Sequence, residues 1–263
     1  MSATPIETTS APRAVELGAS APWFAVFKRE LRQYFRSPIA YGVAFALFIF
    51  LGFYFNGYLS QVNGQLPADA TLIPSIITFL MFLIAPLLTM RLIAEENREG
   101  TLEVLMTMPM SESQFIIGKF LAVWAYYTIL LVISLVFAVL LNTVGTPDWG
   151  AAVGAYFGGW LYGGAVLAIT MIFSALSEDQ IVSAFLGSAT ILVLYLANTA
   201  ASAISTQFPA IAEIVRELGL SAHYDATMSQ GILRLEDVLY FVFLIIAALF
   251  ITTRIVEIRR WRS

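Results

Sequence analysis

Cysteine is absent from this chain of 263 residues, and charged side chains are scarce, at 12% of the sequence. Without cysteine the sequence offers no disulfide, no cysteine-ligated zinc or iron–sulfur centre and no cysteine nucleophile. A soluble domain carries about a quarter charged residues, so the polar surface here is too small to cover a water-soluble particle. The composition therefore predicts an integral membrane protein.

Several enzyme and binding motifs are also lacking. The net charge of −4 excludes a basic nucleic-acid-binding protein. His223 is the only histidine, so the two-histidine motif of zinc proteases is missing, and no ligand spacing around it predicts a metal site. Gly118 and Lys119 lack the upstream glycine of an ATP-binding P-loop. We therefore predict no catalytic residue, no metal site and no nucleotide site in this chain.

Long apolar runs dominate what the sequence does contain. A transmembrane helix needs about 20 apolar residues, and six runs free of Asp, Glu, Lys and Arg reach or approach that length. These predicted spans one to six cover residues 39–59, 72–90, 120–141, 151–176, 181–204 and 238–253, the last of them short. The fold class is therefore an all-α integral membrane protein with six transmembrane helices within residues 38–256.

The distribution of Lys and Arg predicts the orientation. With both termini in the cytosol, 12 of the 14 basic residues are cytoplasmic, as the positive-inside rule requires. Residues 1–22, rich in Ser, Thr, Pro and Ala, are expected to be a disordered cytosolic leader. Residues 257–263 are expected to form a cytosolic tail. The acidic turn 177–180 is placed in the cytosol only by alternation of the spans.

Residues 23–37 are predicted to form an amphipathic helix that lies in the headgroups of an anionic inner leaflet. Its aromatic arc contains Trp23, Phe24, Phe27, Leu31, Tyr34 and Phe35, and its cationic arc contains Lys28, Arg29, Arg32 and Arg36. The alternative is a helix that packs on another cytosolic domain. We disfavour it because the chain contains no such domain.

The loop between spans two and three contains helix breakers at close spacing. Gly100 ends one predicted helix, Thr101 caps the next, and Pro109 terminates that one. Ser111 and Gln114 then form a capping box that opens span three. The result is a short predicted helix at 101–108.

This short helix has an apolar face with no partner in the chain. The face consists of Leu102, Leu105 and Met106, and its acidic neighbours are Glu95, Glu96, Glu99 and Glu103. Folding back onto the membrane is disfavoured because the acidic residues would meet anionic lipid. We therefore predict that the helix docks in a groove of another protein.

Three further sets of residues are singled out. Tyr127, Tyr195, Asn198 and Ser202 either line a path for an amphiphilic substrate or form hydrogen bonds between helices, and the sequence does not decide. Gly150, Gly154 and Gly158 form a row of small residues that favours close helix packing. In the long outer loop 205–237, residues 209–218 predict an amphipathic helix whose apolar face, Ile211, Ile214, Val215 and Leu218, rests on the bundle.

These features together resemble the permease subunits of ABC-2 type ATP-binding-cassette transporters. The most similar stretch runs Glu95-Glu96-Asn97-Arg98-Glu99-Gly100-Thr101-Leu102-Glu103-Val104-Leu105-Met106, with Gly118-Lys119 following. The resemblance covers residues 23–260. The opening at residues 27–38 and the closing stretch at residues 235–241 look most similar to the gliding-motility and copper-maturation (nitrous-oxide reductase accessory) branch.

The resemblance implies that helix 101–108 is a coupling helix that inserts into a separate ATPase subunit. The contact residues it implies are Glu99, Gly100, Thr101, Leu102, Glu103, Leu105 and Met106. Two permeases, identical or homologous, and two ATPase copies would form the transporter, with ATP and Mg bound by the ATPase. An exporter in a bacterial plasma membrane is implied, with an extracytoplasmic accessory subunit as an option. The alternative is a membrane anchor or assembly subunit that transports nothing.

Overall fold

The structure is a computed structural model that describes residues 22–62, 68–100 and 110–260. Residues 1–21 of the predicted leader 1–22, the predicted helix 101–108 and residues 261–263 lie outside the described residues, and Pro22 begins the first helix. The described part of the chain is helical and contains no strand. Its α-helices are α1 (Pro22–Tyr34), α2 (Pro38–Val62), α3 (Leu72–Thr89), α4 (Ala94–Glu99), α5 (Glu112–Leu141), α6 (Trp149–Leu176), α7 (Gln180–Ile204), α8 (Pro209–Leu218), α9 (Leu220–Asp225) and α10 (Leu235–Arg260).

Six helical segments in the described residues are long and apolar enough to cross a membrane, which confirms the six-span fold. They are α2, α3 with its extension α4, α5, α6, α7 and α10. The chain is thus an all-α, multi-pass membrane protein. We refer to the end of the bundle that carries α1 as the α1 end, and to the other as the outer end.

Short polar residues fix where the transmembrane helices begin. The Asp148 carboxylate accepts hydrogen bonds from the backbone N–H of Gly150 at 2.8 Å and of Ala151 at 3.2 Å at the start of α6. Asp179 caps α7 in the same way, and Ser111 accepts from Gln114 N–H at 3.4 Å to open α5. These bonds satisfy N–H groups that have no partner within the first helical turn.

Helix α10 extends beyond the apolar run of span six, residues 238–253, at both ends. It begins at Leu235 and continues to Arg260. Its charged ends are neutralised locally: Asp237 is hydrogen bonded to Thr227 at 2.7 Å, and Arg254 pairs with Glu257 at 2.6 Å. An apolar run alone underestimates a helix whose ends carry paired charges.

Helix α6 is the centre of the bundle and packs against α3, α5, α7 and α10. In its most apolar window 72% of residues are buried, against 22% for both α7 and α10. A Cβ at Gly163 would overlap the ring of Tyr127, and a Cβ at Gly164 would lie 2.8 Å from the ring of Trp124. The glycines therefore let large aromatic side chains of α5 lie directly on the α6 backbone.

The outer loop folds into more structure than expected. Helix α8 is present with the predicted bounds, but its apolar face does not rest on the bundle. Ala212 is the residue buried against the bundle, whereas Ile211, Ile214 and Leu218 are more than half exposed. Periodicity identifies an apolar face but not what that face contacts. Helix α9 and the 3₁₀ helix Met228–Gln230, which the sequence did not predict, lie between α8 and α10 in the chain. Helix α9 packs mainly against α7, and the 3₁₀ helix packs against α6.

His223 links the outer loop to the start of α10. Its Nδ1 lies 2.9 Å from Asp237 Oδ1, and its ring stacks on Tyr240 at 3.8 Å between centroids. Asp237 is buried and also accepts the hydrogen bond from Thr227. The histidine thus holds α9 against α10. In the described residues no group of three His, Asp or Glu side chains is arranged to hold a metal.

Candidate functional site

Four charged side chains meet where α1, α4 and α5 converge, and we call this set the charged junction: Arg29, Glu30, Glu96 and Lys119. Lys119 Nζ lies 3.0 Å from Glu30 Oε1 and 3.0 Å from Glu96 Oε1. Arg29 Nη2 lies 2.7 Å from Glu30 Oε1 and 3.1 Å from Glu96 Oε1. Two cations and two carboxylates therefore alternate in one closed ring of contacts.

The charged junction is largely removed from water. The Lys119 side chain is 2% exposed and that of Glu30 is 6% exposed, while Arg29 covers them from the solvent side. Burying a charge without a partner costs several kcal/mol, at least ~3, so the ring holds only because it is charge-balanced. Removing any one member leaves an uncompensated buried charge.

The electrostatics of Glu30 follow from this geometry. Burial by itself raises the pKa of the Glu30 carboxyl, but attraction to Lys119 and hydrogen bonds from Arg29 and Lys119 outweigh burial and lower this pKa below 4.5. Because the pKa in the folded state is lowered, the stabilisation by Glu30 is fully present above pH 4.5. It is lost as the pH falls through the lowered value.

Helix α1 is fixed to the bundle by a close approach to α5. Val26 and Glu30, one turn apart, form its buried face. A Cβ at Gly118 would lie 2.6 Å from the carbonyl oxygen of Trp23 and 2.9 Å from Val26 Cβ. This face of α1 therefore packs on the transmembrane helix α5, a contact that neither alternative from the sequence included.

Most of the other residues assigned to the interfacial helix 23–37 are exposed. Trp23 and Phe24 are exposed, Phe27 is half-buried, and the cationic side chains Lys28, Arg32 and Arg36 are exposed. The lipid contact of these residues stays a prediction. The sequence placed all of its apolar arc in lipid, and the structure instead buries Leu31 and Tyr34 partly against the core.

Helix α4 is anchored to α6 by one hydroxyl group. Ser174 Oγ accepts hydrogen bonds from Ile93 N–H at 3.0 Å and Ala94 N–H at 3.2 Å, and it donates to the Met90 carbonyl at 3.2 Å. Ser174, a residue of α6, therefore acts as the N-terminal cap of α4. At the other end Gly100 adopts φ +68°, the left-handed conformation that ends a helix, as its position in the sequence predicted.

The charged junction and Ser174 hold the helices on either side of residues 101–109. Glu96 belongs to the helix that leads into this segment, and Lys119 belongs to the helix that follows it. Both flanks are therefore held at one place on the α1 end. Glu99 and Gly100 are exposed at the exit from α4. Thr101, Leu102, Glu103, Leu105 and Met106 lie outside the described residues, so their docking role stays a prediction.

The pairing of Glu96 changes one argument made from the sequence. Glu95 forms two hydrogen bonds with Arg91, each at 3.0 Å, and Glu96 is paired with Lys119 and Arg29. Two of the four acidic neighbours of the predicted helix are thus neutralised within the chain. Of the three acidic neighbours in the described residues, only the exposed Glu99 is left to support the argument from repulsion by anionic lipid.

The residues proposed for a substrate path lie in different environments. Tyr127 is fully buried, and its hydroxyl donates to the Gly159 carbonyl at 2.9 Å, which fits a hydrogen bond between helices. Tyr195 packs its ring on Phe79 at 5.4 Å. Asn198 is half-buried, and Ser202 is exposed with its hydroxyl bonded to the Asn198 carbonyl at 2.9 Å.

The glycine row of α6 contacts the outer loop. A Cβ at Gly154 would lie 2.6 Å from Gly231 Cα, and one at Gly158 would lie 2.5 Å from Met228 Cβ. Gly150 lies in the first turn of α6, where an added Cβ would meet only the Asp148 side chain, at 3.2 Å. Close packing is thus present at Gly154 and Gly158, but against the outer loop and not against another transmembrane helix.

A family profile described as ABC-2 family transporter protein matches residues 24–255. The chain belongs to the ABC-2 transporter family. The match begins in α1 and ends in α10, so it includes the charged junction and all six spans of this ABC-2 permease. No curated protein matches the sequence. The family is a membrane component of ABC transporters, which agrees with the predicted transport role.

Three residues of this ABC-2 permease site were not predicted from the sequence. Glu30, Lys119 and Ser174 were not singled out, although each carries an interaction between distant segments. Two features were visible: Glu30 is the sole acidic residue among the basic residues of α1, and Lys119 directly precedes an apolar run. Both are typical of a charge that finds a partner elsewhere in the fold.

Proposed function

We propose that this chain is the transmembrane subunit of an ABC exporter, and that it couples ATP hydrolysis by a separate ATPase subunit to movement of a substrate. The observation that carries the proposal is the charged junction, which fixes both flanks of the segment 101–109 at one surface. A segment with both ends fixed can transmit a conformational change of a bound ATPase to α3 and α5. ATP and Mg would be bound by the ATPase and not by this chain.

The orientation belongs to the same proposal. Twelve of the 14 Lys and Arg residues lie at the α1 end or in sequence next to it, which favours the cytosol on that side. Arg259 near the end of α10 donates to the Leu176 carbonyl at 2.7 Å, so the acidic turn 177–180 lies at the same end as the last helix. A bacterial plasma membrane with both termini inside fits this arrangement.

The assembly would contain two permeases and two ATPases. Exposed neutral and aromatic side chains favour a lipid-like, polymeric or polypeptide cargo over a small ion. Export or extraction from the membrane is the expected direction. The gliding-motility and copper-maturation branch rests only on the sequence stretches at 27–38 and 235–241, and an extracytoplasmic accessory subunit remains part of the proposal.

The docking of the ATPase is tested by charge substitutions in the segment 101–109. Leu102→Arg and Leu105→Arg each place a cation on the proposed docking face, and each should weaken ATPase binding by about 2–4 kcal/mol. The measurement is co-purification of the ATPase from the native membrane, followed by ATP hydrolysis by the purified complex. The matched control is Ser113→Arg, an exposed position on the first turn of α5.

Two outcomes would contradict the proposal in different ways. Full complex formation and activity in both leucine variants would show that the ATPase docks elsewhere. Normal complex formation with an ATPase whose hydrolysis is independent of this chain would favour the alternative of a membrane anchor or assembly subunit.

The orientation is tested by cysteine labelling, because the chain has no native cysteine. Single cysteines at Ser113 and Glu178 should react with a membrane-impermeant maleimide only from the cytosol. Cysteines at Thr143 and Thr206 should react only from outside. All four positions are exposed, so a failure to react would not reflect burial. Labelling of Thr143 from the cytosol would overturn the topology.

A further inference from the structure

A cavity of about 550 Å³ lies beside the charged junction, between α1, the start of α2, the end of α3 and α4. This volume is in the range of sites for organic ligands and far larger than a site for one ion or water molecule. The family assignment gives no role to the cavity. It opens at the α1 end, at the depth where the transmembrane helices end.

The lining of the cavity divides into two parts. The apolar part comes from the first turn of α2 and the end of α3: Ile39, Ala40, Leu87, Leu88 and Leu92. The polar part comes mainly from α1 and α4 and from Arg91 between α3 and α4. Ile39 is 38% exposed, so the apolar part is continuous with the lipid-facing surface of α2. A ligand with an apolar tail and a polar head matches this division.

The charges of the polar part favour a zwitterionic head. Three cations line the cavity, Arg29, Arg91 and Lys119, together with four carboxylates, Glu30, Glu95, Glu96 and Glu99. An anionic ligand would meet a net negative surface, and a cationic ligand would displace the cations from their partners. A head that carries one phosphate and one ammonium group adds no net charge.

Arg91 is the group that can hold the phosphate. Its Nε and Nη2 donate to Glu95 and its Nη1 donates to Ser37 at 3.2 Å, which fixes the plane of the guanidinium. A guanidinium has five N–H donors, so two remain without a partner in the described residues. Glu95 is partly exposed, and Glu99 lies exposed at the end of α4. They are acceptors within the same cavity for an ammonium group.

We propose that this cavity binds the headgroup of a zwitterionic glycerophospholipid from the leaflet at the α1 end, with its phosphate at Arg91 and its ammonium group at Glu95 and Glu99. The lipid would contact α1, α2, α3 and α4 together. Its acyl chains would follow Ile39 along α2. The proposal depends on the structure of this end of the bundle and not on the ATPase or on the transport direction.

The test uses the purified full chain in nanodiscs with a photoactivatable phosphatidylethanolamine as the probe, and cross-linked peptides are identified by mass spectrometry. We expect cross-links to concentrate on α1, α2 and the α3–α4 connection. Arg91→Gln should reduce them about tenfold, because a charge-assisted hydrogen bond to phosphate is lost. Leu87→Trp, which fills the apolar part from a half-buried position, should have a similar effect.

Two control variants match these changes. Arg254→Gln removes an arginine that is paired with Glu257 at the same end of the bundle but does not line the cavity. Leu83→Trp enlarges a lipid-exposed residue one turn before Leu87. Both should keep cross-linking within twofold of the original protein.

The outcomes separate the proposal from its competitors. A phosphatidylglycerol probe that cross-links as well as phosphatidylethanolamine would overturn the zwitterionic assignment. Cross-links spread evenly over all lipid-facing helices would show annular lipid only. Unchanged cross-linking in both Arg91→Gln and Leu87→Trp, with each variant eluting as a folded species, would overturn the site itself.

Discussion

Lys119→Met is expected to destabilise the protein more than any change of an exposed charge. The substitution leaves Glu30 and Glu96, both largely buried, with Arg29 as their single cation within the charged junction. Loss of one partner from a buried ion pair costs about 3–5 kcal/mol. The measurement is the thermal unfolding midpoint of the detergent-solubilised chain, followed by fluorescence-detected size-exclusion chromatography.

A charge-balanced double variant distinguishes electrostatics from lost packing. Lys119→Met combined with Glu96→Gln leaves Arg29 and Glu30 as a neutral pair, and it should regain most of the lost stability. Arg254→Met removes an exposed ion pair with Glu257 and should change stability by at most about 1 kcal/mol. A double variant as unstable as the single one would show that packing of the lysine chain, and not charge balance, stabilises the junction.

The same variant has a local readout. Val26 is 5% exposed and faces α5, so a cysteine at this position should react slowly in the original protein. In the Lys119→Met background its reaction rate should rise, because α1 is released from α5. An unchanged rate would mean that the contact at Gly118 alone holds α1.

Gly231→Ala is the second change with a large expected effect. Gly231 has φ +80°, and an added Cβ would overlap the backbone of Ala151 in α6. The left-handed conformation lowers the stability of a residue with a Cβ by about 1–2 kcal/mol. The clash of the added Cβ with the α6 backbone lowers the free energy of unfolding by about 1–3 kcal/mol more. The outer loop should therefore separate from α6, with a lower unfolding midpoint and faster proteolysis between α8 and α10.

Two glycines provide matched controls for the two parts of this cost. Gly100→Ala carries the positive φ of +68°, but no atom of the described residues lies within 4 Å of its Cβ, so it should show only the backbone cost. Gly52→Ala in α2 has neither strain nor a close neighbour, and it should be neutral or slightly stabilising because alanine favours helix over glycine. If Gly231→Ala is no worse than Gly100→Ala, the contact with α6 contributes nothing.

Local patterns in the sequence were sufficient to predict most of this fold. Apolar runs located all six spans, and Gly100 and Ser111 marked helix ends that the structure reproduces. These features depend on neighbours within a few residues, so a linear sequence contains them. The length of α10 was missed because its terminal charges are paired with partners that are not visible in an apolar count.

The charged junction could not be predicted in the same way. Lys119 and Glu30 are 89 positions apart, and nothing in the local sequence of either residue identifies the other. The cap that Ser174 provides to α4 spans 80 positions and has the same difficulty. Helix α8 shows a third limit, since its periodicity gives a face but the partner of that face depends on tertiary packing.

The hydroxyl of Ser174 has a mechanical consequence. It joins the most buried helix of the protein to the break between α3 and α4 through three hydrogen bonds. A displacement of α4 must therefore carry α6 with it or break all three bonds. Motion at the surface would then reach the most buried transmembrane helix directly.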